Sequence, residues 1–124
     1  MRPLIAFLLI LFNLPQAEAQ INLVTNPSFE DTLICPTTLD QIDATVGWVS
    51  YKASPDYFNS CSNIVNVPNA TWGYQNAHSG DAFAGVATYR KINSSSGPNY
   101  REIMGTPLSS PLQVGTTYYC SFYV

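Results

Sequence analysis

The sequence predicts an all-β domain, an antiparallel β-sandwich with a long irregular loop region. The chain is poor in charge and rich in Tyr, Asn, Ser, Thr and Pro, a composition that suits short strands joined by polar turns and disfavours a helical bundle. Strand-like runs alternate with clusters of Pro, Gly, Asn and Ser. The last run, Thr116 to Val124, alternates strictly, with Tyr118, Cys120, Phe122 and Val124 on one face and Tyr119, Ser121 and Tyr123 on the other. One of those faces is expected to be core.

Residues 1–19 read as a secretory signal peptide. Arg2 precedes an apolar run from Leu4 to Phe12, and the small-residue site Ala17-Glu18-Ala19 follows. The alternative is a membrane anchor, but the run is only about half of the roughly 20 residues that a bilayer-spanning helix needs. The mature chain is expected to begin at Gln20 and to be exported, with no later stretch apolar enough to span a membrane. Residues 20–124 then form one modest domain.

Ile21 to Val24 is a β-prone opening, and Thr25-Asn26-Pro27-Ser28 turns the chain before Phe29, a large apolar anchor. Pro36 to Val46 lacks strand alternation, though Thr38 to Ile42 can wind into a helical turn. Gly47-Trp48-Val49 follows, and Trp48 and Phe29 are assigned to the core. From Ser50 to His78 the chain reads as one long ordered loop region, because Pro55, Pro68 and many Asn and Ser residues are interleaved with Tyr51, Tyr57, Phe58, Trp72 and Tyr74. After the turn His78-Ser79-Gly80, Ala82 to Tyr89 reads as a strand, with Gly85 hinting at a bulge or a close approach. Asn93 to Pro98 is a loop, Tyr100 to Met104 another strand, and Pro107, Pro111 and Gly115 mark the turn before the last run. These strands are fewer than the about seven or eight of a sandwich, so the domain is expected to be incomplete at Val124.

Cys35, Cys61 and Cys120 would enter an oxidising compartment, where one pair forms and one thiol is left over. Cys35 and Cys61 both lie in loop-like sequence and are the best-placed pair, whereas Cys120 sits in a strand-like run and would behave there as a small hydrophobe. The alternatives are three free thiols or an external partner for Cys120. Such a bridge is worth about 3 kcal/mol in the chain-entropy model. Lys52, Arg90, Lys91 and Arg101 are scattered and the formal net charge is -3, so the basic stripe of a nucleic-acid binder is missing.

Three segments, Asn22 to Glu30 with Gly47-Trp48, His78 to Val86, and Leu108 to Val124, together resemble the galactose-binding-like jelly rolls, in particular xylan- and glucan-binding carbohydrate-binding modules. The segment at Cys35-Pro36, that from Ser54 to Cys61, and Tyr100-Arg101-Glu102 narrow the likeness to a version found in secreted and outer-membrane proteins of gliding bacteria. The resemblance spans nearly all of the mature chain and rests on the order of its short motifs. It implies a jelly roll that continues beyond Val124, a further domain downstream, and a place outside the cell or at its surface.

Sugar binding needs flat apolar ring faces and nearby amides or hydroxyls. Tyr51, Tyr57, Trp72 and Tyr74, with Gln75 and Asn76, are the candidate carbohydrate-binding residues, and Asn66 and Asn69 lie near them. The alternative is that these rings pack the loop onto the sandwich. The resemblance also implies a structural calcium ion, with Glu30 and Asp81 giving carboxylates and Ser28 a carbonyl; solvated loop carboxylates are the alternative. A catalytic reading finds little: His78 is the single histidine and reads as a turn residue, and Asp40 with Asp43 or Glu30 with Asp31 are acid pairs only by proximity in sequence. The expectation is therefore a non-enzymatic module that binds polysaccharide or a cell-surface glycan. Its rival is a structural or adhesion domain of the bacterial cell envelope with no sugar site.

Overall fold

The computed structural model describes residues 20–89 and 100–124. The expected signal peptide and the expected loop from Asn93 to Pro98 lie outside the described residues. Those described form almost no helix: a 3₁₀ turn, Ile42–Ala44, precedes six short strands, β1 (Val49–Lys52), β2 (Asp56–Asn59), β3 (Asn69–Ala70), β4 (Gly73–Tyr74), β5 (Ala82–Gly85) and β6 (Ile103–Gly105). They pair antiparallel as β1 with β6, β2 with β5, and β3 with β4. The all-β character expected from the sequence is present as three small two-stranded sheets.

The β2–β5 ladder organises the molecule because its two faces do different work. Strand side chains alternate, so Tyr57 and Asn59, opposite Ala84 and Ala82, face one side and Asp56 and Phe58, opposite Gly85 and Phe83, face the other. On the first side Tyr57 and Ala82 join Ile42 and Ala44 in the buried core, against which Phe29, Trp48, Ala84 and Met104 pack. On the second side Phe58 and Phe83 form a cross-strand stack with ring centroids 4.9 Å apart. The hint at Gly85 resolves as a close approach: a Cβ there would stand 2.9 Å from the Phe58 ring, and the register runs through without a bulge.

The turn after the opening segment is fastened by Asn26, which is nearly buried. Its amide donates to the Asp31 carbonyl, the Thr45 hydroxyl and the Val46 carbonyl, and its carbonyl accepts the Asp31 N–H. One side chain thus satisfies backbone groups that a loop could not pair by itself. Trp48 donates its indole N–H to the Asn26 backbone carbonyl at 2.9 Å, and its ring lies 4.6 Å from Phe29, so both anchors pack together, half-buried, against the core rather than within it. Beyond them the Tyr57 hydroxyl reaches the Phe29 carbonyl at 2.8 Å, Thr32 at 2.6 Å and Asn59 at 2.8 Å. The bridge between Cys35 and Cys61 is present. It ties the segment before the 3₁₀ turn to the end of β2.

Two expectations are corrected. The stretch from Ser50 to His78 is not simply loop, since it contains most of β1 and all of β2, β3 and β4. Strand β2 is buried at all four positions, so it offers no alternation of apolar and polar residues to read. In the opposite direction, the expected strand from Thr116 to Val124 pairs with nothing among the described residues, and every residue from 111 to 124 is exposed. Cys120, expected to behave as a small hydrophobe in that run, is a free and exposed thiol. An alternating pattern marks a face, but burial requires a neighbouring strand and an opposing layer.

Candidate functional site

The β3–β4 hairpin turns through Thr71 and Trp72, because Asn69 pairs with Tyr74 and Ala70 with Gly73. The turn therefore lifts Trp72 to the tip. Strands this short are marginal alone, and three bonds fasten the hairpin: Gln75 N–H donates to the Pro68 carbonyl at 2.8 Å, the Thr71 hydroxyl to the Ile64 carbonyl at 3.5 Å, and the Trp72 indole N–H to the Asp56 carboxylate at 3.1 Å. The indole bond lies in the plane of the ring, so it leaves the ring faces unoccupied, and Trp72 remains 72% exposed.

Between this hairpin and the far side of the β2–β5 ladder lies an open cleft of about 550 Å³. The Phe58 and Phe83 stack lines it, Trp72 and Tyr74 stand at its hairpin side, and its polar groups include Asp40, Asp56, Gln75 and Glu102. Burial pushes the Asp56 carboxyl above its ordinary 3.8. Hydrogen bonds from the Asp40 backbone and Trp72 oppose that rise, and the charges of Glu102 and Asp40 add to it. Glu102 accepts the Ala87 N–H at 2.7 Å and the Tyr100 hydroxyl at 2.9 Å, which aims β6 and its approach toward the end of β5. Exposed ring faces, an amide and three carboxylates as hydrogen-bonding groups, and an apolar floor are components of the kind that line small-molecule sites.

The sequence-derived sugar-binding residues separate into groups. Trp72, Tyr74 and Gln75 line the cleft, and Asn76 is exposed just beyond it. Tyr51 is exposed elsewhere, with its ring packed over Gly105 on the β1–β6 pair. Tyr57 is withdrawn from the ring faces: it is fully buried and its hydroxyl is committed to three internal partners, so no ligand reaches it. Sequence reasoning missed Asp56 and Glu102, which are far apart in the chain and meet only because β2, β5 and β6 assemble around the cleft.

At the other end of β5, Glu30 and Asp81 are neighbours. The Glu30 carboxylate accepts the Asp81 N–H at 3.0 and 3.1 Å and the Ala82 N–H at 3.0 Å. Gly80, at φ 68, allows the approach, since a side chain there would run into the carboxylate. Among the described residues no group of three or more His, Cys, Asp or Glu side chains gathers as a metal site. The Glu30 oxygens and a Ser28 carbonyl would supply part of the six to eight oxygens that calcium takes. His78 lies in the turn as expected, with its ring stacked 3.4 Å from Tyr123.

No helix among the described residues is long and apolar enough to cross a membrane. The Cys35–Cys61 bridge fits an oxidising compartment. No family model, curated protein or solved structure matches the chain.

Proposed function

We propose that the protein is an exported, non-catalytic module, secreted or held at a bacterial cell surface, that binds polysaccharide in the cleft between the β3–β4 hairpin and the β2–β5 ladder. The observation that carries this reading is the pair of exposed rings, Trp72 and Tyr74, beside an open cleft with Gln75, Asp56 and Glu102 within it. What sets these two rings apart from other exposed side chains is that they stand together at one cleft with polar groups beside them, the kind of clustered apolar surface that marks a binding site. A tryptophan held by its edge to a buried carboxylate is pre-organised, so less ordering entropy is lost when a sugar stacks on its face.

Trp72→Ala and Tyr74→Ala provide the test. Each is expected to weaken retention on the recognised polysaccharide by on the order of tenfold, the equivalent of about 1.4 kcal/mol, while the melting temperature moves little. Unchanged retention in both variants would reject the cleft as the site. Loss of melting temperature without loss of retention supports the rival reading, a structural or adhesion domain.

A structural calcium ion at Ser28, Glu30 and Asp81 belongs to the same proposal, and rests on the family resemblance and on the Glu30 carboxylate lying at the turn that carries Asp81, where it accepts the Asp81 backbone N–H. Ligand binding to the folded state raises stability by mass action. Added calcium is therefore expected to raise the melting temperature and a chelator to reverse the rise, with Glu30→Gln abolishing both. A melting curve indifferent to calcium would leave Glu30 as an acceptor for the turn and nothing more.

A further inference from the structure

We propose that the cleft prefers polysaccharides that carry protonated amines, chains of β-linked glucosamine being the chemical type, over neutral and acidic polysaccharides. The inference rests on the polysaccharide-binding reading above and adds the charge of the ligand. Asp40, Asp56 and Glu102 all line the cleft, and among the described residues no Lys or Arg joins them. A uronic acid or sulfated chain would bring like charge against these carboxylates, an arrangement that interfaces use to exclude partners.

A neutral pyranose can stack on the rings but leaves the carboxylates without a counter-charge among the described residues of the cleft. An ammonium group answers both features. The faces of Trp72 and Tyr74 attract cations through the ring quadrupole, and the carboxylates have capacity to accept N–H bonds. Asp56 accepts the Asp40 N–H at 2.8 Å on one oxygen and Trp72 at 3.1 Å on the other. Glu102 likewise accepts one bond on each oxygen. A carboxylate offers about four lone-pair sites, so both remain open to a charge-assisted bond from a ligand. An ammonium there would also offset the desolvation and mutual repulsion that the Asp56 carboxylate meets in this environment.

Because the whole chain has a formal net charge of -3, a cationic polymer is attracted to it without any site, and the experiment has to separate the two effects. Binding of the full chain is measured to poly-β-1,4-glucosamine, its fully N-acetylated form, a neutral β-glucan and polygalacturonate, in buffer where the amine is protonated. The amine polymer is expected to bind on the order of tenfold tighter than its acetylated form, and added salt is expected to shrink that margin. Glu102→Gln should remove most of the preference. Asp43→Asn, which deletes the same charge on an exposed residue outside the cleft, should leave it intact.

Equal loss in the two variants overturns the inference, because the attraction is then general. Equal binding of the amine and acetylated polymers, or tighter binding of polygalacturonate, overturns it while leaving the polysaccharide reading standing. Binding to none of the four overturns both. The salt titration uses the unchanged protein, so a preference that ignores salt overturns the inference even where the Glu102 variant fails to fold.

Discussion

Residues Asp56–Asn59 and residues 116–124 are both rich in tyrosine and phenylalanine, yet the first set is buried at every position and the second exposed at every position. Ring content does not explain the difference. Strand β2 has a hydrogen-bonded partner in β5, the 3₁₀ turn against its Tyr57 side, and the hairpin across the cleft on its Phe58 side. Residues 116–124 have the Tyr118 hydroxyl accepting the Gln113 N–H and the Tyr123 ring on His78, and no ladder among the described residues. Side-chain pattern states which residues share a face, whereas partner strands decide whether the face is covered.

The sharpest way to break this comparison is to cut β2. Tyr57→Ala removes a fully buried ring and strands the Phe29 carbonyl, Thr32 and Asn59 without their shared hydroxyl. A loss of about 4 kcal/mol is expected for the cavity and the lost transfer energy, measured by urea denaturation. Tyr57→Phe keeps the ring and drops the hydroxyl, and should cost about 1–2 kcal/mol. Equal, small losses in both variants would mean that β2 is not the centre of the packing.

What could be read from the sequence follows the same division. Local chemistry was legible. Asn26-Pro-Ser made a turn, Phe29 and Trp48 became anchors, Gly85 marked a close approach, and two loop cysteines made the bridge. Trp72 and Tyr74 stood out as rings in polar sequence, and they line the cleft. What depends on assembly was not legible. Strand β2 lacks a solvent face because both of its sides are covered, Tyr57 and Phe58 part company only through its pleat, and Asp56 meets Glu102 only once the residue before β6 is fastened to Ala87 beyond the end of β5. The alternation from Thr116 onward was the clearest strand signal in the chain, and it finds no partner strand among the described residues.

A smaller effect sharpens the comparison through protons. The Asp56 carboxyl titrates above 3.8 in the folded protein because burial penalises its charge, so the unfolded chain releases this proton first as pH rises. Between 3.8 and the raised value the folded state holds more protons than the unfolded one, and stability falls with increasing pH by at most about 1.4 kcal/mol per pH unit for one group. Below that window the penalty is absent, and above it the penalty is constant. Denaturation of the wild type and of Asp56→Asn across the acid range should show the wild type losing ground to the variant as pH rises through the window. Parallel curves would place Asp56 in water rather than in the packed half.

The smallest expected effect comes from the exposed half. Tyr119 is 91% exposed and Phe122 81%, so replacing either by Ser removes almost no area from a packed environment. Substitutions on such surfaces usually stay within about 0.5 kcal/mol of the parent. Both variants should unfold at the parent's urea midpoint with an unchanged slope, since the slope follows the surface exposed on unfolding. A loss on the scale of Tyr57→Ala would require that residues 116–124 have a covered face after all. The comparison with β2 would then fail at its premise, because the alternation would have specified burial as well as facing.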